Sequence, residues 1–224
     1  MNVSLRISED GSHTLYREDI DETYHSCHGA IQEAVHVFIQ SGLVHFAEKS
    51  DQAEIEILEV GFGTGLNAIL SHIAGSRLKR TIHYTGYELF PLDKELLDKL
   101  NYDSVCPNIA GFSEKLRKIH SCEWQKSVEI DSDFHLTKIK ACISQEHCKE
   151  KYDLLYFDAF GPRAEPTLWE KEILSLMYDS LKPTGVFVTY CAKGQVRRDL
   201  ISLGFTVERL PGPPGKREML RATK

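Results

Sequence analysis

Three carboxylates stand where chemistry could be organised around them: Glu59, Glu88 and Asp158. Residues 59–67 run E-V-G-F-G-T-G-L-N, with Gly61, Gly63 and Gly65 at every second position. Ahead of them, 55–60 is an apolar run rich in β-branched residues, which predicts a buried strand. Behind them, 66–70 has helical composition. A strand that passes through a glycine turn into a helix leaves backbone N–H groups facing whatever binds there, and glycine permits positive φ and close approach of a ligand. The spacing G-x-G-x-G differs from the G-x-G-x-x-G that seats a pyrophosphate. An acid two residues before the first glycine would repel phosphate and favour a ligand with cationic groups. Glu88 ends a second apolar run, 82–87, 23 residues after Gly65. That is where an acid accepts hydrogen bonds from a ribose diol. Asp158 ends a third run, 152–157.

Those three acids require elements that deliver three strand ends to one place. Strands are predicted at 55–60, 82–87, 134–140, 152–157, 186–190, 205–210 and 218–222. Helices are predicted from about 66, at 92–100 and from about 170 to 181. Alternating strands and helices with crossover-length connections give a parallel α/β sheet whose site lies at the strands' C-terminal ends. The expectation is a Rossmann-like fold with a mostly parallel seven-stranded sheet and helices on both faces. Before it, 22–30 is a polar loop and Ile31, Ala34, Val35, Phe38 and Ile39 recur at helical spacing. The reading is an N-terminal extension or lid at 1–48 carrying an amphipathic helix over about 30–46, then one compact domain at 49–224. Residues 101–150 are the least legible, and no repeat is present.

Composition bounds the function. The 224 residues are 42% hydrophobic and 27% charged, with a net charge of −6. No apolar run approaches the roughly 20 residues that span a bilayer, and the polar, acidic N-terminus is read as neither a secretory signal nor a transit peptide. Six cysteines without C-x-x-C pairs point to a reduced, cytoplasmic compartment rather than a zinc site. His13, His25, His28, His36 and His45 lack an H-x-x-x-H pair, so no metal site is expected. Charge is uneven. From residue 190 onward eight Lys/Arg face three acids, a net +5 that leaves −11 for the rest. Lys193, Arg197, Arg198, Lys216 and Arg217 are therefore candidates for a phosphate-facing patch.

The form E-x-G-x-G-x-G resembles the first motif of Rossmann-like S-adenosylmethionine methyltransferases. D-A-F-G-P-x-x-x-P-x-x-W at 158–169, T-Y-x-x-x-G-x-V-R-R at 189–198 and G-K-R-E-M-L at 215–220 follow in order. Together the four motifs resemble the MnmC-type methyltransferase domain over about 15–222. That resemblance implies an enzyme that methylates the aminomethyl group on a modified wobble uridine of tRNA, with S-adenosylmethionine as donor and S-adenosylhomocysteine as product. It implies cofactor contacts at Glu59, Gly61, Phe62, Gly63, Gly65, Asn67, Glu88 and Leu89. Tyr24 and Ser26 in the early loop are further candidates. The family often places an acid beside the adenine, where this sequence has Ala141 and Cys142, so backbone and apolar groups around Cys142 would serve instead. The flavin-dependent oxidase domain of bifunctional members does not fit in 224 residues. The expectation is a stand-alone transferase without FAD, supplied by an upstream tRNA-modifying enzyme or by a pathway that makes the aminomethyl group directly.

Transfer to an amine requires the free base, and Asp158 is the candidate to accept its proton or hold it by a hydrogen bond. Phe160, with the turn at Gly161 and Pro162, would shape a slot for the base. Lys193, Arg197, Arg198, Lys216 and Arg217 would contact phosphates of the anticodon region. The alternative enzyme is a methyltransferase of a small-molecule or protein amine. A nicotinamide oxidoreductase lacks its glycine spacing here, and a non-catalytic S-adenosylmethionine- or RNA-binding protein would bind without turnover.

Overall fold

The structure, a computed structural model, describes residues 2–106, 109 and 111–224. The chain begins with a small antiparallel sheet of β1 (Val3–Ile7), β2 (His13–Arg17) and β3 (Glu22–Thr23). One helical rod follows, made of α1 (Ala30–Ala34), a π-helical middle (Val35–Val44) and α2 (His45–Lys49). Its apolar side, with Val37, Phe38 and Leu43 fully buried, packs on the main sheet.

That sheet grows from β4 (Glu54–Val60), which continues through the glycine turn into α3 (Leu66–Leu78) and β5 (Thr81–Tyr87). After β5 come the short helices α4 (Lys94–Leu97) and α5 (Tyr102–Val105), then α6 (Phe112–Ser121). β6 (Ser127–Asp131) and β7 (Phe134–Ile139) form a hairpin. β8 (Tyr152–Phe157) is buried at every position and leads through a 3₁₀ turn (Pro166–Trp169) to α7 (Lys171–Ser180) and β9 (Leu181–Thr189). α8 (Gly194–Ser202), β10 (Thr206–Pro211) and β11 (Glu218–Thr223) complete the chain.

The strand order is β10-β11-β9-β8-β4-β5-β7-β6. The five strands from β9 to β7 run parallel, and β11, β10 and β6 join antiparallel. From β4 the chain first builds towards β5 and β7, then returns to β8 and builds the other way. The switch point therefore lies between β4 and β8, and their C-terminal ends open a crevice.

Two expectations change. The main sheet has eight strands, because 127–131 adds an edge strand beyond the seven. Its alternation is short and half exposed, so it carries little apolar signal. The helix expected over 92–100 contracts to Lys94–Leu97, while α6 occupies a stretch without a sequence assignment. Phe112, Leu116 and Ile119, spaced four and three apart, are its buried face, and that periodicity was available in the sequence.

Candidate active site

Gly61 connects β4 to the crevice. Its φ is +88°, and a Cβ there would lie 2.6 Å from the Asp158 carbonyl oxygen. Only glycine lets the ends of β4 and β8 close to this distance. Gly65 begins α3 at φ +74°. The turn's donors are mostly used internally: Gly61 and Phe62 N–H groups both donate to the Tyr87 carbonyl at 3.0 Å, and Gly65 N–H to that of Phe62 at 2.9 Å. Gly63 N–H donates to Glu88 Oε2 at 3.0 Å. The N–H groups of Gly61, Phe62, Gly63 and Gly65 are thus taken up within the protein. The turn positions an acid instead, since Glu88 Oε1 also accepts the Phe90 N–H at 2.9 Å and its carboxylate is fixed at the end of β5.

Behind the turn, one amide joins the other two acids. Asn67 Nδ2, on the first turn of α3, donates to Glu59 Oε1 and to Asp158 Oδ2, each at 2.8 Å. Glu59 and Asn67 are 1% and 2% exposed. Burial lifts the Glu59 carboxyl to about 8, against the opposing hydrogen bond from Asn67. Asp158 is raised well above the ordinary carboxylate range, by burial first and then by the charges of Glu59 and Glu33; Asn67 and Lys216 act the other way. A carboxyl so placed holds a proton more tightly than one in water.

A cavity of about 930 Å³ opens in front of this layer. Its walls include Gly61, Gly63, Glu88, Leu89, Cys142, Asp158 and Phe160, with Tyr24 and Ser26 from the early loop and Lys193, Lys216 and Arg217 from the C-terminal third. Tyr24 meets Phe160 edge-on at 5.0 Å, the Arg17 guanidinium lies 5.3 Å from the same ring, and the Trp169 indole N–H holds the Phe160 carbonyl at 2.7 Å. The D-A-F-G-P-x-x-x-P-x-x-W segment is therefore a brace that fixes Phe160 beside Asp158.

Several candidates lie elsewhere. Glu59, Phe62, Gly65 and Asn67 form the layer behind the wall, so they shape the cavity rather than line it. Arg197 and Arg198 sit on α8 outside the cavity, where Arg198 donates to Gln195 at 2.8 Å. Lys216 is no free surface cation: it is ion-paired with Glu33 and lies 3.8 Å over the Tyr190 ring.

Sequence reasoning missed Arg17, Glu33, Glu165 and Tyr190, all on the cavity wall. Tyr190 lay within a quoted motif; Glu33, on a helix, gave no local signal of a buried ionic role. The five early histidines do not gather at one point. His25 is buried and pushed down to about 4 by desolvation. His13 and His36 contact the backbone carbonyls of Lys99 and Pro211. Among the described residues, His72, Asp131 and Asp133 do come together, with Lys115 Nζ 2.8 Å from Asp131 as their cation. No helix among the described residues is long and apolar enough to cross a membrane.

Comparison with known proteins agrees with this architecture. The chain is 30% identical over 241 aligned positions to the tRNA 5-methylaminomethyl-2-thiouridine biosynthesis bifunctional protein MnmC of Aliivibrio fischeri, covering 99% of this chain and 35% of that protein. It is 29% identical to the protein of the same name from Vibrio cholerae, covering 92% and 33%. The chain thus spans about a third of the length of these relatives. Among solved structures, MNMC2 from Aquifex aeolicus superposes with a TM-score of 0.79 at 24% identity, over 99% of this chain and 69% of that one. Spermidine synthase from Thermotoga maritima gives 0.54 at 14% identity, over 99% and 72%. Both likenesses show the fold. A family model described as S-adenosyl-L-methionine-dependent methyltransferase matches residues 106–224, over half of the chain. The chain belongs to the S-adenosyl-L-methionine-dependent methyltransferase family.

Proposed function

We propose that the chain methylates the primary amine of a 5-aminomethyl group on the wobble uridine of tRNA, giving the 5-methylaminomethyl nucleoside. The observation that carries this reading is the Asp158 carboxylate, held by Asn67 on the cavity wall beside the braced ring of Phe160. The names of relatives matched along nearly all of the chain support the substrate.

The residues fit S-adenosylmethionine. Glu88 is fixed by two backbone N–H groups at the end of β5 and offers its remaining lone pairs to a ribose diol. The side-chain-free surface at Gly61 and Gly63 admits a close ligand. Ala141, Cys142 and Ile143 give an apolar wall for adenine. Ligand pockets commonly measure roughly 300–1,000 Å³, so a cavity of about 930 Å³ leaves room for a nucleobase as well.

The cofactor supplies an electrophilic methyl: the amine's electron pair forms the N–C bond, and the S–C pair stays on sulfur in neutral S-adenosylhomocysteine. Asp158 takes one proton from the arriving ammonium, and its raised proton affinity brings it closer to the amine's. Phe160, braced by Tyr24 and Trp169, stacks on the base; such stacking is worth roughly 1–3 kcal/mol. Lys193 and Arg217 at the cavity, with Arg197 and Arg198 beyond it, meet backbone phosphates of the anticodon region. Domain boundaries near residue 48, a cytoplasmic location and an upstream enzyme that installs the aminomethyl group belong to the same reading. The transfer itself consumes no flavin oxidant.

Acceptor choice tests it. Undermethylated tRNA, free 5-aminomethyluridine and a lysine-bearing peptide are offered with S-adenosylmethionine, and nucleosides are analysed. Methylation of the wobble nucleoside in tRNA is expected. Equal or better transfer to the free amines would replace tRNA with a small acceptor.

A further inference from the structure

Four segments far apart in sequence meet at one point on the cavity wall. Glu33 of α1 is 5% exposed, and its Oε1 accepts the Ser26 N–H at 3.0 Å. Its Oε2 binds the Lys216 ammonium, which comes from the loop joining β10 and β11. That ammonium lies 3.8 Å over the Tyr190 ring, whose hydroxyl donates to the Ala159 carbonyl at 2.8 Å. Ala159 follows Asp158 directly. Both partners line the cavity, and the Lys216 side chain is 31% exposed against 7% for Glu33, so the cationic end of the pair is the more accessible one.

A fixed cation at this position acts on two titrations. It disfavours a second positive charge nearby, which lowers the proton affinity of a bound amine. It also favours the anionic form of Asp158, against the burial and the acids Glu59 and Glu33 that favour the neutral form. The first effect moves a proton off the amine, and the second keeps Asp158 unprotonated and ready to receive it. Lysine beside a reacting amine serves this purpose in known chemistry, where a neighbouring cation lowers the amine's pKa.

We propose that Lys216 is a positioning residue for the proton: held by Glu33 and the face of Tyr190, it disfavours the ammonium form of an acceptor bound beside Asp158, so that the acceptor gives up a proton there and stands as the free base. The proposal rests on the amine-methylating reading above. The acceptor ammonium gives one proton to the Asp158 carboxylate, the freed electron pair bonds to the methyl carbon of S-adenosylmethionine as its S–C bond breaks, and the methylammonium product later loses its extra proton to solvent. Other charged groups on the cavity, namely Arg17 of β2, Glu22 of β3, His25 and His28 of the early loop, Glu88 after β5, Arg163 and Glu165 after β8, Lys193 after β9, and Arg217 and Glu218 at the final hairpin, are untouched by the variants below.

The test is the pH profile of methyl transfer by the full chain to undermethylated tRNA, and to a free primary amine, for wild type, Lys216→Met, Lys216→Arg and Glu33→Gln. Lys216→Met is expected to shift the rising limb about one unit to higher pH. That is about a tenfold loss in kcat near neutrality, recovered in alkali, with KM for the acceptor little changed. Lys216→Arg keeps the wild-type limb. Glu33→Gln, which removes the counter-charge, moves the limb towards acid, and this tests the idea even if Lys216→Met does not fold. A loss equal at every pH, an effect confined to KM with a flatter salt dependence, or Arg failing as badly as Met would overturn the role of Lys216 while leaving the reaction in place. Absence of transfer to either acceptor by the wild type would instead remove the reading beneath it.

Discussion

Asn67 decides how two acids can share one layer of the protein. Its amide gives one hydrogen to Glu59 and the other to Asp158, so neither carboxylate faces the other unscreened. Replacing it with Leu takes this amide donor from both. Asn67→Leu is expected to lower methyl transfer at least tenfold and to move the acid limb of the rate–pH profile to still higher pH, as steady-state kinetics would show. In the wild type that limb should rise with pH, because Asp158 must lose its proton to work, and it should lie above the ordinary carboxylate range. Glu59 makes a stability prediction of definite sign. Its folded pKa, about 8, exceeds its unfolded value near 4.5. The folded state therefore binds the extra proton, and stability is full below the unfolded pKa and declines as pH rises towards 8. Glu59→Gln should flatten that decline; thermal melts at pH 5 and pH 8 measure it. A wild-type Tm that does not fall over this interval would count against a protonated Glu59.

At the scale of elements, the junctions after β4 and β8 hold the site. Gly61→Ala would place a methyl 2.6 Å from the Asp158 carbonyl at a φ unfavourable to alanine. A loss of about 1–3 kcal/mol is expected, with weaker binding of S-adenosylhomocysteine in calorimetry. Trp169→Phe removes the indole bond to the Phe160 carbonyl while keeping an aromatic ring against Phe157. It should raise KM for the acceptor several-fold and leave S-adenosylhomocysteine affinity nearly unchanged. The strands that carry these junctions were legible because buried parallel strands are dominated by apolar residues, as 55–60 and 152–157 are despite Glu56, Glu59 and Asp153. β6 and α6 were not legible by run length, since one is a half-exposed edge strand and the other a charged helix with three buried residues. The glycine turn was located correctly, but the destination of its N–H groups was not, because the Tyr87 carbonyl that accepts two of them arrives from β5.

The whole molecule sets the electrostatics of acceptor binding. An acidic chain with a basic segment from residue 190 onward brings Lys193 and Arg217 to the cavity, while α8 carries Arg197 and Arg198 nearby in sequence but off its wall. Replacing Arg217 or Lys193 by Ala should weaken tRNA binding and reduce the log–log salt slope by about 0.7–0.9 per lost phosphate contact. Filter binding across a salt series measures it. Composition could announce this patch but could not separate Lys216 from it. The ion pair with Glu33 spans 183 residues and exists only once the early helix lies against the final hairpin. Arg17 and Tyr190 entered the site in the same way. Acids at strand ends are readable one strand at a time, whereas a cavity wall assembled from both ends of the chain is not.

The central claim is transfer of a methyl group to an amine at Asp158. The most direct measurement follows labelled methyl from S-adenosylmethionine into tRNA that carries the 5-aminomethyl group, with Asp158→Asn assayed beside the wild type and S-adenosylhomocysteine binding measured for both. Label is predicted in the 5-methylaminomethyl nucleoside, falling at least about a hundredfold in the variant while cofactor affinity stays within a few-fold. Undiminished transfer by Asp158→Asn, or label in tRNA that lacks the aminomethyl group, would contradict the account.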